Sequence, residues 1–80
     1  MQDFVALDFE TANNNRASAC EISLVHFKDG EPVNSLTSLL RPPEGLGTFI
    51  HTGIHGISER DCQNSPTLAD LLPEVARFVG

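Results

Sequence analysis

Phe4, Val5, Ala6 and Leu7 form an unbroken apolar run that leads directly into Asp8-Phe9-Glu10-Thr11. A run apolar at both parities suits a strand buried on both faces, in the middle of a sheet flanked by other elements. Side chains alternate across a strand, so Asp8 and Glu10 emerge on the same face at its end. Two negative charges beside a core are unfavourable unless a cation or a donor compensates them, and a divalent metal site is the natural reading. The bland alternative is a solvated strand end, or a carboxylate that caps a neighbouring loop.

This first strand is expected over about Phe4 to Thr11, followed by an exposed polar loop at Asn13-Asn14-Asn15-Arg16, which is not itself a motif. Two strand-like runs come next, Cys20 to Phe27 and Pro32 to Leu40, separated by Lys28-Asp29-Gly30-Glu31. Asp-Gly between two such runs predicts an antiparallel hairpin, because a type I′ turn needs positive φ at both central residues. Ile22 and Leu24 share one parity with Cys20, Val25 and Phe27 take the other, and both faces read as partly covered. Two prolines and two glycines in Arg41-Pro42-Pro43-Glu44-Gly45-Leu46-Gly47 predict a surface loop. Ser58 with Asp61 is an acidic capping box that predicts a brief helix over Glu59 to Cys62. Ser65-Pro66-Thr67 reads as a second N-terminus, after which Leu68, Leu71, Leu72, Val75, Ala76 and Val79 fall at helical spacing. Pro73 interrupts that pattern and predicts a kink or a late start.

Eighty residues make one small domain over 1–80 with room for one core, near the lower limit for a core without staples. Apolar residues at 40% and charged residues at 20% indicate a globular chain. The formal charge of −6, from 11 acids against five bases, leaves no basic patch for gripping phosphates. A nucleic-acid substrate would then rely on metal ions for charge neutralisation. Cys20 and Cys62 lack CxxC spacing and no charged-then-apolar leader opens the chain, so free thiols in a reducing cytoplasm are expected. No apolar run approaches the roughly 20 residues needed to cross a membrane.

Asp8-Phe9-Glu10-Thr11, then Glu21-Ile22-Ser23-Leu24-Val25, then Ile54-His55-Gly56-Ile57-Ser58 occur in the order and at the distances of a known family. Together they resemble the opening of a DEDD-type 3′→5′ exonuclease, of the type of the proofreading epsilon subunit of bacterial DNA polymerase III and its RNase T-like relatives. The resemblance implies an RNase H-like α/β fold and phosphodiester hydrolysis at single-stranded nucleic acid 3′ ends. It also implies two divalent metals, Mg²⁺ or Mn²⁺, held roughly 3.5–4 Å apart. Asp8 matches the family aspartate that bridges both metals, and Glu10 the carboxylate on the water-activating metal; both are hard oxygen ligands suited to such ions. Thr11 matches the position whose backbone approaches the terminal nucleotide, and His55 and Ile57 lie in the segment bordering its pocket. The family pattern continues with a further aspartate, a histidine and a final aspartate, none of which occurs before Gly80. The 80 residues alone are therefore expected to be inactive, as an amino-terminal fragment or half-domain.

The other candidates have simpler readings. The simpler reading of His55 is a turn residue that hydrogen-bonds backbone around Gly56. His51 and His55 stand four apart, a helical zinc spacing, yet Gly53 and Gly56 argue against a helix and no HExxH is present. His26 reads as a satisfied strand residue, Arg16 and Arg41 as solvated loop arginines or phosphate contacts, and Glu21 as support for the site or a solvent-facing acid. The expected architecture is a truncated three-stranded sheet, with the hairpin beside the first strand and one main helix covering it. An apolar first strand left without its outer neighbour invites pairing, so a homo-oligomer through the exposed edge is expected. The rival to a nuclease is a non-catalytic binding or assembly module that uses that edge.

Overall fold

The computed structural model describes residues 3–15, 17–43 and 49–80. Strands β1 (Phe4–Thr11), β2 (Ala19–Lys28) and β3 (Glu31–Leu39) form one antiparallel sheet in the order β1-β2-β3. Helices α1 (Thr52–His55), α2 (Glu59–Cys62) and α3 (Leu68–Val79) follow. The chain is a small α/β structure with its helices after its strands, and none of these helices is long and apolar enough to cross a membrane.

The hairpin closes as the Asp-Gly pair predicts. Asp29 has φ 52° and Gly30 has φ 82°, the positive values that a type I′ turn requires at both positions. Opposite residues of an antiparallel pair lie on the same face, so the registers Leu7↔Leu24 and Phe9↔Ile22 place these four side chains together. Ile22 and Leu24 are buried there with Leu40 and Leu71, and Val5, Leu36, Val75 and Phe78 pack around them. Each aliphatic side chain fully buried in this way contributes about 1.5–3 kcal/mol. A second cluster joins Cys20, Ile57 and Cys62, bordered by Leu39 and Phe49, and ties α2 to the start of β2.

Both predicted helices match at their starts. Ser58 accepts from the Asp61 N–H at 3.2 Å and donates its own N–H to the Asp61 carboxylate at 3.0 Å. Thr67 and Asp70 repeat this reciprocal cap at the head of α3, at 3.1 and 3.2 Å. Such a cap satisfies two donors that a helix end otherwise leaves open.

Three expectations need correction. First, β1 lies at the edge of the sheet as expected for a strand without its outer neighbour, but the two-sided burial that its apolar run suits does not occur: Phe4, Leu7 and Phe9 are 52%, 56% and 38% exposed. The apolar face of α3 packs on the β2 side of the sheet, so among the described residues only Val5 of β1 reaches the main cluster. Phe4 finds a partner on the opposite face, where its ring stacks on Phe27 with centroids 4.8 Å apart. Second, a single helical turn does form at Thr52–His55, despite Gly53. Gly56 ends it in the left-handed conformation at φ 78°, the usual way a helix stops at glycine. Third, α3 starts ahead of Pro73 and runs through it, so the late start does not occur. Pro73 sits on the exposed side of α3. Of the anticipated loop between Arg41 and Gly47, residues 44–47 lie outside the described residues, as does Arg16, whose reading as a solvated arginine or a phosphate contact falls there.

Candidate functional site

Asp8 and Glu10 share the sheet face opposite the main cluster, because they pair with Ser23 and Glu21 and not with Ile22 or Leu24. Asp8 is exposed and Glu10 half-buried. The direct pairing of Glu10 with Glu21 sets like charges side by side across two strands, which is unfavourable without a compensating group. Glu21, which the sequence left between a supporting and a solvent-facing role, thus lies on the acidic face.

The register breaks immediately beyond this pair. Glu10 pairs with Glu21 but Thr11 pairs with Ala19, which leaves Cys20 as the extra residue of a β-bulge. Cys20 is fully buried, and burial, followed by the neighbouring Cys62, Glu10 and Glu21 charges, pushes its thiol up to about 11. Burial likewise raises the Cys62 thiol, with the Asp61 charge adding to it. Cys62 donates weakly from Sγ to the Cys20 carbonyl at 3.5 Å. Both cysteines are free thiols.

Thr11, just past the acidic pair, is held by two histidines. Its carbonyl accepts from His55 Nε2 at 2.8 Å, and the Ile57 N–H donates to His55 Nδ1 at 3.0 Å. An acceptor at Nδ1 and a donor at Nε2 define the neutral tautomer, an assignment made from the hydrogen-bond partners. His51 Nε2 lies 2.9 Å from Asn14 Oδ1, and its Nδ1 lies 3.3 Å from the Thr11 hydroxyl and 3.2 Å from the Thr11 carbonyl oxygen. The His51 N–H also donates to the Ala12 carbonyl at 2.9 Å. The one-turn helix α1 is therefore latched to the end of β1 by side chain and main chain together.

The loop from Ala12 to Ser18 is built from its own asparagines. Asn13 Oδ1 accepts from the Asn15 N–H at 2.8 Å, and Asn15 Oδ1 accepts from the Ala17 N–H at 2.9 Å. Each is a side chain bonding backbone two residues on, a turn that asparagine favours. The buried Ser18 hydroxyl donates to the Asn15 carbonyl at 2.6 Å. His51 was weighed in the sequence only for zinc, and its contact with Asn14 was not foreseen; the Asn-x-Asn spacing was the available signal for the turn, whereas the His51 contact joins positions 37 apart in sequence.

Of the residues singled out in the sequence, Asp8, Glu10 and Thr11 are consecutive features of one strand end, and His55 touches Thr11 directly. The Ile57 side chain faces the other way and is buried against Cys20 and Cys62. Ile54, in the same segment, is 80% exposed. Arg41 donates from Nε to the Ser65 carbonyl at 3.4 Å, and His26 Nε2 lies 3.9 Å from Asp3 Oδ2. Among the described residues no group of three or more His, Cys, Asp or Glu is arranged to hold a metal ion. The oxygen donors of Asp8 and Glu10 fit a hard cation such as Mg²⁺, which is commonly bound through one or two carboxylates with water and phosphate completing its shell. Two carboxylates do not fix two ions.

No known protein-family profile matches the chain. It is similar to the DNA polymerase III PolC-type of Clostridium perfringens (strain 13 / Type A), with 30% identity over 80 aligned residues. The alignment covers 98% of this chain and 6% of that protein, so the chain spans a small part of the curated relative it matches.

Proposed function

We propose that these residues form the metal-carrying start of an RNase H-like 3′→5′ exonuclease domain related to DNA polymerase III, acting on single-stranded nucleic acid ends. The observation that carries this reading is the strand end itself: Asp8 and Glu10 on one face, followed at once by a latched Thr11 carbonyl. The similarity to a DNA polymerase III agrees with the family pattern of Asp8-Phe9-Glu10-Thr11 and Ile54-His55-Gly56-Ile57. Asp8 and Glu10 would hold Mg²⁺ or Mn²⁺, which when bound supplies charge neutralisation at the scissile phosphate and an activated water. The chain's own contribution is placement: the sheet fixes both carboxylates on one side, and the latch holds the adjoining backbone. The Thr11 backbone and the segment from Ile54 to Ile57 would border the terminal nucleotide, with exposed Ile54 offering an apolar contact to its base. With −6 net charge and no basic patch, attraction to phosphate depends on the bound cation.

A 3′-labelled single-stranded oligonucleotide mixed with the chain and Mn²⁺ tests this reading. Mn²⁺-dependent binding or shortening that disappears in Asp8→Ala supports it, and the same behaviour in Asp8→Ala contradicts it.

A second reading, an assembly module, is favoured by one observation: the exposed outer side of β1, with Leu7 56% and Phe9 38% accessible. The occupant would be a second copy. A two-fold antiparallel pairing centred on Leu7 sets Val5 opposite Phe9 and Asp8 opposite Ala6, so that no carboxylate directly faces another.

A further inference from the structure

The Cys20 bulge and the His55 ring meet at one atom. His55 Nε2 lies 2.8 Å from the Thr11 carbonyl and 3.8 Å from Cys20 Sγ. Thr11 is the β1 residue at which the register shifts, and Cys20 is the extra residue on β2. The other ring nitrogen is occupied by the Ile57 N–H at 3.0 Å, so the ring is held from both ends. A bulge adds a local twist and re-aims the side chains beside it, and here those are Glu10 and Glu21.

We propose that His55 pins the β1–β2 bulge, and so acts as a positioning residue that aims Glu10 and Asp8. This rests on the reading of those carboxylates as cation ligands. In its neutral tautomer His55 has spent its single N–H on the Thr11 carbonyl and its acceptor on Ile57. Direct contact with a nucleotide would require one of these bonds to break. The ring therefore serves the frame of the site and not the substrate. His51 is the second strut: its N–H on Ala12 and its ring on Asn14 and Thr11 keep α1 against the strand end, so that His55 arrives at the bulge.

Two substitutions separate the pin from the turn. In His55→Asn the amide oxygen can replace Nδ1 as acceptor for Ile57, but the side chain stops short of Thr11. In His55→Gln the longer side chain carries an N–H to about the position of Nε2. Long-range ¹H–¹⁵N spectra of the metal-free 80-residue chain should show His55 protonated at Nε2 alone. His55→Asn should move the amide resonances of Glu10 to Ala12 and of Cys20. It should also weaken Mn²⁺ binding about tenfold, the low end of what partners that orient metal ligands typically contribute. His55→Gln should recover most of that affinity at a comparable melting temperature. Unmoved Glu10 to Ala12 resonances in His55→Asn, wild-type Mn²⁺ affinity in that variant, or equal weakness of the two variants overturns the pin. If His55→Asn does not fold, the ring tautomer and His55→Gln decide: protonation at Nδ1 overturns the pin, and Nε2 protonation with Mn²⁺ binding retained in His55→Gln sustains it. If the wild-type chain binds no Mn²⁺, the reading of Asp8 and Glu10 falls, and the pin stands or falls on the metal-free resonances.

Discussion

Cys20 sits where three influences meet: complete burial, a second thiol and two carboxylates, Glu21 beside it on β2 and Glu10 on the facing strand. All of them favour the neutral thiol, and its pKa rises from the ordinary 9.0 to about 11. The sign of the consequence follows from linkage. A thiol that ionises at about 9 when unfolded and about 11 when folded stabilises the fold fully below pH 9, and this stabilisation is lost as pH climbs towards 11. Urea unfolding of the wild type and of Cys20→Ala across that range should show the wild type losing stability more steeply with pH. Parallel slopes would contradict the burial argument. The same residue should resist alkylation at pH 8 in the native chain, since the thiolate is the reactive form. At the opposite end of the scale Asp61 is held below the usual carboxylate range, chiefly by the Ser58 backbone N–H and then by its hydroxyl. That cap is present above the unfolded value and is lost as pH falls through the lowered one.

Among the elements, α3 carries the clearest internal conflict. It buries Leu71 against β2 and has a reciprocal cap at its head, yet Pro73 removes one backbone bond from its interior. Pro73→Ala should stabilise the chain by about 2 kcal/mol, from roughly 3 kcal/mol of relieved helix strain less up to about 1 kcal/mol for the freer unfolded chain. Leu71→Ala should act oppositely and destabilise by about 2–5 kcal/mol, because the cluster of Ile22, Leu24 and Leu40 cannot close the gap fully. Thermal or urea unfolding measures both. The elements legible in the sequence were those with local signals. Asp29-Gly30 specified its own turn, Ser58 with Asp61 specified α2, and Leu71 with Val75 specified the buried side of α3. α1 was not legible, because Gly53 lowers its propensity and what holds the turn in place is the contact of His51 and His55 with Thr11, about 40 positions away. The site was legible to the same extent: the acidic pair follows from strand parity, while the bulge at Cys20 depends on a cross-strand register that no local pattern encodes.

For the whole molecule, the two edges of the sheet are unlike. β3 carries Pro32 and a row of exposed polar residues, features that discourage strand addition. β1 has no proline and its carboxylates lie on one face only, while its other face remains exposed at Leu7 and Phe9. Concentration-dependent self-association is therefore expected by sedimentation, and Leu7→Lys should shift the chain to monomer; a wild type that stays monomeric at high concentration would contradict the use of this edge by a second copy. The charge of −6 opposes association, so added salt should favour it. On the proposed reading, the same acidic balance would make a bound cation the link to a nucleic acid end. The most direct test is the loss of the free Mn²⁺ electron paramagnetic resonance signal on titration with the chain. One saturable site is expected in the wild type and none in the Asp8→Asn/Glu10→Gln double variant, provided the variant keeps the wild-type circular dichroism spectrum. Equal Mn²⁺ binding by both chains would contradict the assignment of the strand-end carboxylates as metal ligands.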